Sequence, residues 1–288
     1  MKIIAQFSVL HLVSVVMLWA ALATTSVLAQ PVTYRFEETN TQNSKLVGIL
    51  QDHQIFDRLK RFSAQNLQLK AEVSFILYEG EGLFFDAAKN EVLIPYASLL
   101  ELYDGISAKY PQQSEVVQRI FSSAVEQMLW FEFGRVLVSQ YALPILGREE
   151  YTLDNFSTLM RLNLGDLESE FILDAAEHYL VMEDTKSLRH EAFFQNEIEF
   201  DQHRYRMIVC MVLGRDNVPP VDLLAELAWD KERLEWCRQR YLSKLNAWYS
   251  VLLPYLKPDN PMQRWLNAWP PVVPPSNSDS SQTVQVDS

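Results

Sequence analysis

Histidine is scarce in this sequence, with five residues in 288. One lies in an apolar N-terminal stretch, which leaves His53, His178, His190 and His203 for the rest of the chain. No two of these four are four residues apart, the spacing that places two imidazoles on one helix face around a single metal ion. The sequence therefore lacks a histidine pair for a metal, and we expect each histidine to be an ordinary exposed or hydrogen-bonded side chain.

Positive charge is also in short supply. The chain has 25 Lys and Arg against 37 Asp and Glu, a formal net charge of -12 at pH 7. Lys2 is the only charged residue before residue 30, so removing that segment takes the charge from -12 to -13. A charge of this sign opposes binding to nucleic acid or anionic lipid, which are themselves negative. We expect no nucleic-acid partner.

Only one long hydrophobic run is present, at the N-terminus. Lys2 precedes an apolar stretch from Phe7 to Leu28, which ends in Val27-Leu28-Ala29. This pattern predicts a secretory signal peptide over residues 1–29, although an uncleaved anchor of the same length remains the alternative. We expect an exported protein, periplasmic or secreted, with no stable membrane insertion after cleavage.

Cysteine is limited to Cys210 and Cys237. An exported chain meets an oxidising environment, so a disulfide is the expectation and two separate buried thiols are the alternative. The bridge would close a loop of roughly 28 residues and stabilise the fold by about 3 kcal/mol. The sequence has no Gly-x-Ser-x-Gly motif. Nucleophilic catalysis therefore lacks an obvious agent.

What the sequence does contain predicts a globular α+β domain. Hydrophobic residues make up 48% of the chain, which is typical of a folded body. Two β-rich segments, Ala71–Tyr78 and Glu91–Tyr96, predict a hairpin or two neighbouring strands. Pro95 places the second strand at an edge or marks its end.

Helical patterns cover most of the remainder. They predict helices near Leu46–Phe62, Ser114–Ala142, from about Glu149, Asp166–Glu183, Gln202–Leu213 and Val221–Leu253. Cys210 and Cys237 fall on the last two, so the bridge would staple a helical hairpin. We expect a single domain over residues 30–270, followed by a disordered Pro- and Ser-rich tail over residues 271–288.

The segment Phe131-Glu132-Phe133-Gly134-Arg135 carries the chemistry. A zinc peptidase helix needs two histidines four residues apart to bind the ion, and the glutamate after the first acts as base on the metal-bound water. Here the glutamate is present. Phe131 and Arg135 stand where the two histidines belong, and neither has an electron pair to give a metal.

The surrounding sequence makes this comparison specific, because it closely resembles a family of exported bacterial proteins described as metallopeptidases. In that family a histidine-glutamate-x-x-histidine helix is followed by a Leu-Pro segment and a Gly-Arg-Glu-Glu run. The resemblance covers roughly residues 45–256. The matching segments are Phe84–Asp86, Pro95-Tyr96, Leu143–Glu150, Asp201–Tyr205, Cys210, Gly214, Glu235–Tyr241, Trp248 and Leu252–Pro254.

The resemblance implies a zincin-like, mostly helical domain with a small β-sheet. It places Glu132 at the general-base position, Glu150 at the third metal ligand, and Asp154 at a residue that orients a ligand. It also implies zinc in the family. This sequence departs at Phe131 and Arg135, and Ile198 stands where the family is expected to carry a further histidine. We therefore expect these positions to be vestigial and the zinc to be lost.

Arg135 suggests how the fold tolerates that loss. A partly buried carboxylate without its metal is costly. A guanidinium at position 135 restores the missing positive charge if it pairs with Glu132, three residues earlier, or with Glu150. We predict one of these pairs where the zinc would lie; the alternative is an Arg135 that points into solvent.

The leading functional hypothesis is a zinc-free pseudoenzyme that binds a polypeptide or an envelope protein. An active metallopeptidase with an unusual ligand set of Glu132, Glu150 and a distant histidine is the second. A third is an envelope structural protein, with Trp265 and Trp269 in an attachment element.

Overall fold

The computed structural model describes residues 31–145, 147–164, 169–186, 195–215, 227–258 and 260–262. The predicted signal peptide, the predicted tail, Trp265, Trp269 and His190 lie outside these residues. Within the described ranges no helix is both long enough and apolar enough to cross a membrane.

Four strands and eight α-helices follow one another in this part of the chain. The strands are β1 (Val32–Phe36), β2 (Val73–Tyr78), β3 (Phe84–Asp86) and β4 (Glu91–Pro95). The helices are α1 (Thr41–Asp52), α2 (Ile55–Asn66), α3 (Tyr96–Lys109), α4 (Ser114–Tyr141), α5 (Glu149–Asn163), α6 (Ser169–Lys186), α7 (Gln195–Arg215) and α8 (Lys231–Leu252). The prediction of a mostly helical α+β fold with a small sheet is confirmed.

The sheet has the strand order β1-β2-β4-β3. β2 pairs in parallel with both β1 and β4, whereas β3 is antiparallel to β4. Of the two arrangements that the sequence allowed for β2 and β4, neighbouring strands are correct and the hairpin is wrong. Pro95 ends β4, which lies inside the sheet and not at its edge.

Helix α4 runs through the middle of the domain. It packs against α5 and α6 and also against α1, α2 and α3, and most of its side chains are buried. Its aromatic residues include the fully buried Phe121, Trp130 and Phe133. A charged residue in the buried part of such a helix is costly unless it has a partner nearby.

Several helix boundaries differ from the prediction; α7, for example, begins at Gln195 and not near Gln202. The segment predicted as one helix from Leu46 to Phe62 is two helices, α1 and α2, separated at Gln54 by a left-handed backbone (φ 55°). Helix α8 is capped at Lys231 by the Asp230 side chain, which accepts a hydrogen bond from the Arg233 amide at 2.8 Å. The start predicted at Val221 lies outside the described residues.

The predicted disulfide joins α7 to α8. Cys210 and Cys237 are bonded, with their Cα atoms 5.1 Å apart. The two helices approach closely beside the bridge, because Gly214 faces the Cys237 carbonyl and a Cβ at position 214 would overlap that backbone. The stapled pair of helices is therefore confirmed.

Candidate functional site

The close approach of α4 and α5 positions the segment that resembles a metal-binding helix. Gly134 lies at the contact: a Cβ there would come within 2.7 Å of the Phe156 ring and 3.0 Å of Leu153. Without a side chain at position 134 the two helices nearly touch, and Glu132 is buried with an exposed fraction of only 2%. The candidate base thus lies below the surface and needs a partner.

Arg135 is that partner. Its Nη1 donates to both carboxylate oxygens of Glu132 at 2.9 Å, and its Nε lies 3.3 Å from Oε1 of Glu149. Of the two partners predicted for Arg135, Glu132 and Glu150, the structure has Glu132. Glu150 itself is exposed in the first turn of α5, and its neighbour Glu149 makes the second contact.

Phe131 lies between two guanidinium groups. The Cζ atom of Arg135 is 5.2 Å from the centre of the Phe131 ring, and that of Arg204 is 5.5 Å from it. An aromatic ring attracts cations placed over its face. The Phe131 side chain therefore links Arg135 to a second arginine, on α7.

Arg204 in turn holds Asp154, the residue predicted to orient a ligand. Its Nε and Nη2 donate to the two carboxylate oxygens of Asp154 at 2.6 and 2.7 Å. The Tyr179 hydroxyl donates to the same carboxylate at 3.3 Å. Asp154 thus orients an arginine. No role was predicted for Arg204 from the sequence, although the segment that contains it, Asp201–Tyr205, is one of those that resemble the family.

Burial and pairing oppose each other at both carboxylates. Burial raises the pKa of Glu132, and Arg135 lowers it in part. Burial likewise raises the pKa of Asp154, against the effect of Arg204. In each case the net pKa lies above its usual value, so the guanidinium compensates only part of the cost of burying the charge.

A second charged cluster lies further back on α4, and sequence reasoning missed it. Arg58 donates to the two oxygens of Glu126 at 2.7 and 2.9 Å, and all three charged groups, Arg58, Glu126 and Arg161, are buried. Arg161 contacts Glu126 at 3.5 Å and also donates to Gln127 at 2.8 Å and Ser123 at 2.9 Å. Glu126 therefore lies between two buried arginines.

The described histidines have separate partners. His53 stacks on Phe171 with ring centres 6.1 Å apart, and His203 lies 4.6 Å from the Tyr151 ring. A ring nitrogen of His178 contacts the Ala175 carbonyl in its own helix. His178 thus has a hydrogen-bond partner, and His53 and His203 pack against aromatic rings.

The residues at the site do not fit a zinc ion. Phe131 and Arg135 have no electron pair to donate, both oxygens of Glu132 are bound to Arg135, and Glu150 is exposed. Among the described residues, no group of three or more His, Cys, Asp or Glu has an arrangement that could hold a metal ion. Where a metal peptidase would hold a cation, this protein has the guanidinium of Arg135 beside Glu132.

Fold and site together define a mostly helical α+β domain in which the buried Glu132 is paired with Arg135. Residues 35–252 match the family model described as "Putative metallopeptidase", and the chain belongs to that family. No curated protein and no solved structure matches the chain.

Proposed function

We propose that this protein is an exported, zinc-free pseudoenzyme of its family, which keeps the scaffold to bind a polypeptide. One observation carries the proposal: the guanidinium of Arg135 is bound to both oxygens of Glu132 at 2.9 Å. In a working site the glutamate needs a free oxygen to take a proton from water on the metal. Here both oxygens are occupied by a permanent cation.

The geometry also disfavours the unusual ligand set of Glu132, Glu150 and a histidine. Glu132 is committed to Arg135, Glu150 is exposed, and the described histidines have other partners. Zinc sites also rarely rely on oxygen donors in this way. Support for export comes from the N-terminal apolar run and from the Cys210–Cys237 disulfide, which suits an oxidising compartment.

Peptide hydrolysis tests the proposal. Wild-type protein and Glu132→Gln are incubated with a mixture of unstructured peptides, with added zinc and with a chelator, and cleavage products are measured by mass spectrometry. We expect the wild type to give no more cleavage than Glu132→Gln under either condition. Cleavage by the wild type that both the chelator and Glu132→Gln abolish would establish an active metallopeptidase.

A further inference from the structure

Helix α8 carries a row of cations and an exposed indole along one face. Arg233, Trp236, Arg240 and Lys244 follow one another at spacings of three or four residues, which aligns them on one side of a helix. We call these four residues the α8 basic stripe. Trp236 has an exposed fraction of 44%, which is high for the largest apolar side chain.

The two arginines of the stripe are stacked on that indole. Their Cζ atoms lie 4.4 Å (Arg233) and 5.0 Å (Arg240) from the centre of the Trp236 ring, and Arg233 is also 5.3 Å from the Trp229 ring. Stacking on an aromatic face limits the conformations of a long side chain. The guanidinium groups are therefore held in place before any partner binds.

Throughout the described ranges, the three cations of the stripe, Arg233, Arg240 and Lys244, have no carboxylate partner. The Nε of Arg240 is buried without a hydrogen bond. Arg238, on another side of the same helix, does pair with Glu235 at 3.9 Å. The chain has 37 acidic and 25 basic residues. Three neighbouring cations without a carboxylate partner in the described ranges are therefore unexpected.

These like charges repel one another. The pKa of Arg240 is lowered by burial and by Arg233, and the pKa of Lys244 by burial and by Arg240. His203 on α7 is affected too: burial lowers its pKa, as do Arg240 and Arg206. A row of partly desolvated cations destabilises the free protein, and an anionic partner would relieve that cost.

We propose that the α8 basic stripe is a docking surface for an acidic segment of another polypeptide. The stripe is linear: Arg233 to Lys244 spans about 16 Å along the helix axis. Alternate side chains of an extended peptide are about 7 Å apart, so acidic residues at every second or third position reach successive cations. Trp and Arg are also the residues that dominate protein–protein binding energies.

A bilayer is a poorer fit than an acidic peptide. The net charge of -12 repels an extended anionic surface such as a bilayer. A short acidic peptide bound on α8 interacts mainly with charges within about 8 Å, because salt screens the more distant ones. The inference does not rest on the loss of zinc, because the stripe lies on α8 and the Glu132–Arg135 pair on α4.

Binding of a labelled peptide tests the inference. A fluorescent peptide of alternating Glu and Leu is titrated with the full protein and followed by anisotropy at low and high salt, beside the same peptide with Gln for Glu. We expect the Glu peptide alone to bind, more weakly at high salt. The double variant Arg233→Gln/Arg240→Gln weakens the affinity for the Glu peptide by about tenfold or more, which is a loss of about 1.4 kcal/mol of binding free energy. Trp236→Leu weakens the affinity as well.

Arg238→Gln is the matched control, because Arg238 is exposed on the same helix but lies outside the stripe. It changes the affinity less than twofold, and thermal melts establish that each variant is folded. Equal binding of the Gln peptide, or equal loss in Arg238→Gln, would overturn the inference. So would binding through the stripe to phosphatidylglycerol vesicles, or self-association through it in sedimentation, without binding of the Glu peptide.

Discussion

At the scale of single residues, the Glu132–Arg135 pair joins a buried carboxylate to a partly exposed guanidinium. Glu132 has an exposed fraction of 2%, and Nη1 of Arg135 donates to both of its oxygens at 2.9 Å. A buried charge without a partner is costly, so the pair should contribute to stability.

A variant without the guanidinium of this pair measures how much a buried, unpaired carboxylate destabilises the fold. In Arg135→Met, the Glu132 carboxyl group stays buried, at an exposed fraction of 2%, and loses the guanidinium that compensates its charge. We expect the free energy of unfolding to fall by about 2–3 kcal/mol, less than for a fully buried pair because Arg135 is partly exposed. Urea unfolding at neutral pH measures the loss.

Two further variants separate charge from packing. Glu132→Gln/Arg135→Met removes both charges, so it loses less stability than Arg135→Met alone. Arg238→Met breaks the exposed pair with Glu235 and costs no more than about 0.5 kcal/mol. If Arg135→Met is as mild as Arg238→Met, Arg135 does not compensate Glu132.

The second buried cluster predicts a larger effect. Glu126→Gln leaves Arg58 and Arg161 as neighbouring buried cations with no carboxylate between them. We expect the free energy of unfolding to fall by about 3–5 kcal/mol, again measured in urea. A loss below about 1 kcal/mol would mean that the two arginines do not depend on Glu126.

Of these ion pairs, only Glu132–Arg135 could be predicted from the sequence. Two residues three apart on one helix lie side by side, so the sequence restricts their geometry. Arg204 and Asp154 are 50 residues apart, and Arg58 and Glu126 are 68 apart. No periodicity within a single helix relates residues so distant, because only the packing of different helices brings them together.

At the scale of elements, helices were predicted better than strands. The apolar period of α4 is long and unmistakable, and Pro144 marks its end. By contrast, β1 and β3 were not predicted, and β3 has only three residues, too few to show an alternation. Their strand conformation comes from pairing with β2 and β4, an interaction between segments that a local pattern does not reveal.

The contact between α7 and α8 depends on a missing side chain. Because a Cβ at position 214 overlaps the Cys237 backbone, Gly214→Ala must push the helices apart beside their disulfide. We expect a loss of about 1–3 kcal/mol and a lower melting temperature. Gly48, inside α1, has nothing within 4 Å of its added Cβ, so Gly48→Ala is neutral or stabilises by up to about 1 kcal/mol. Equal shifts in the two variants would contradict the close α7–α8 contact.

At the scale of the whole molecule, stability depends on pH through Asp174 on α6. Burial raises the pKa of Asp174 to about 6, against the pull of Arg119, its partner at 2.8 Å. The folded protein therefore binds this proton more tightly than the unfolded chain. The resulting stability is complete below the ordinary pKa of 3.8 and is lost as the pH rises through about 6.

Comparison with Asp174→Asn isolates this group. Between pH 4 and pH 7 we expect the free energy of unfolding of the wild type, relative to the variant, to fall by about 1–2 kcal/mol, a figure reduced for partial solvent screening. Urea unfolding at several pH values measures the difference, and titrations common to both proteins cancel. A difference that stays constant or rises across this range would show that the pKa of Asp174 is not raised.

The resemblance to the family is spread over most of the chain, whereas the expected loss of zinc depends on a few positions. Motifs spread over most of the sequence resemble the metallopeptidase family, and residues 35–252 match its model. We interpret Phe131 and Arg135 as standing where the family has two electron-pair donors, so that a hydrocarbon ring and a cation take their place. Three-dimensional packing then adds Arg204, which shares the Phe131 ring with Arg135.

The zinc content of the native protein decides whether the site has lost its metal. Protein purified without added metal and without chelator is analysed for zinc by mass spectrometry, beside Glu132→Gln. We expect well under one zinc per chain in both, since Arg135 binds the carboxylate that a metal would need. One zinc per wild-type chain, lost in Glu132→Gln, would show that the protein is a zinc protein after all.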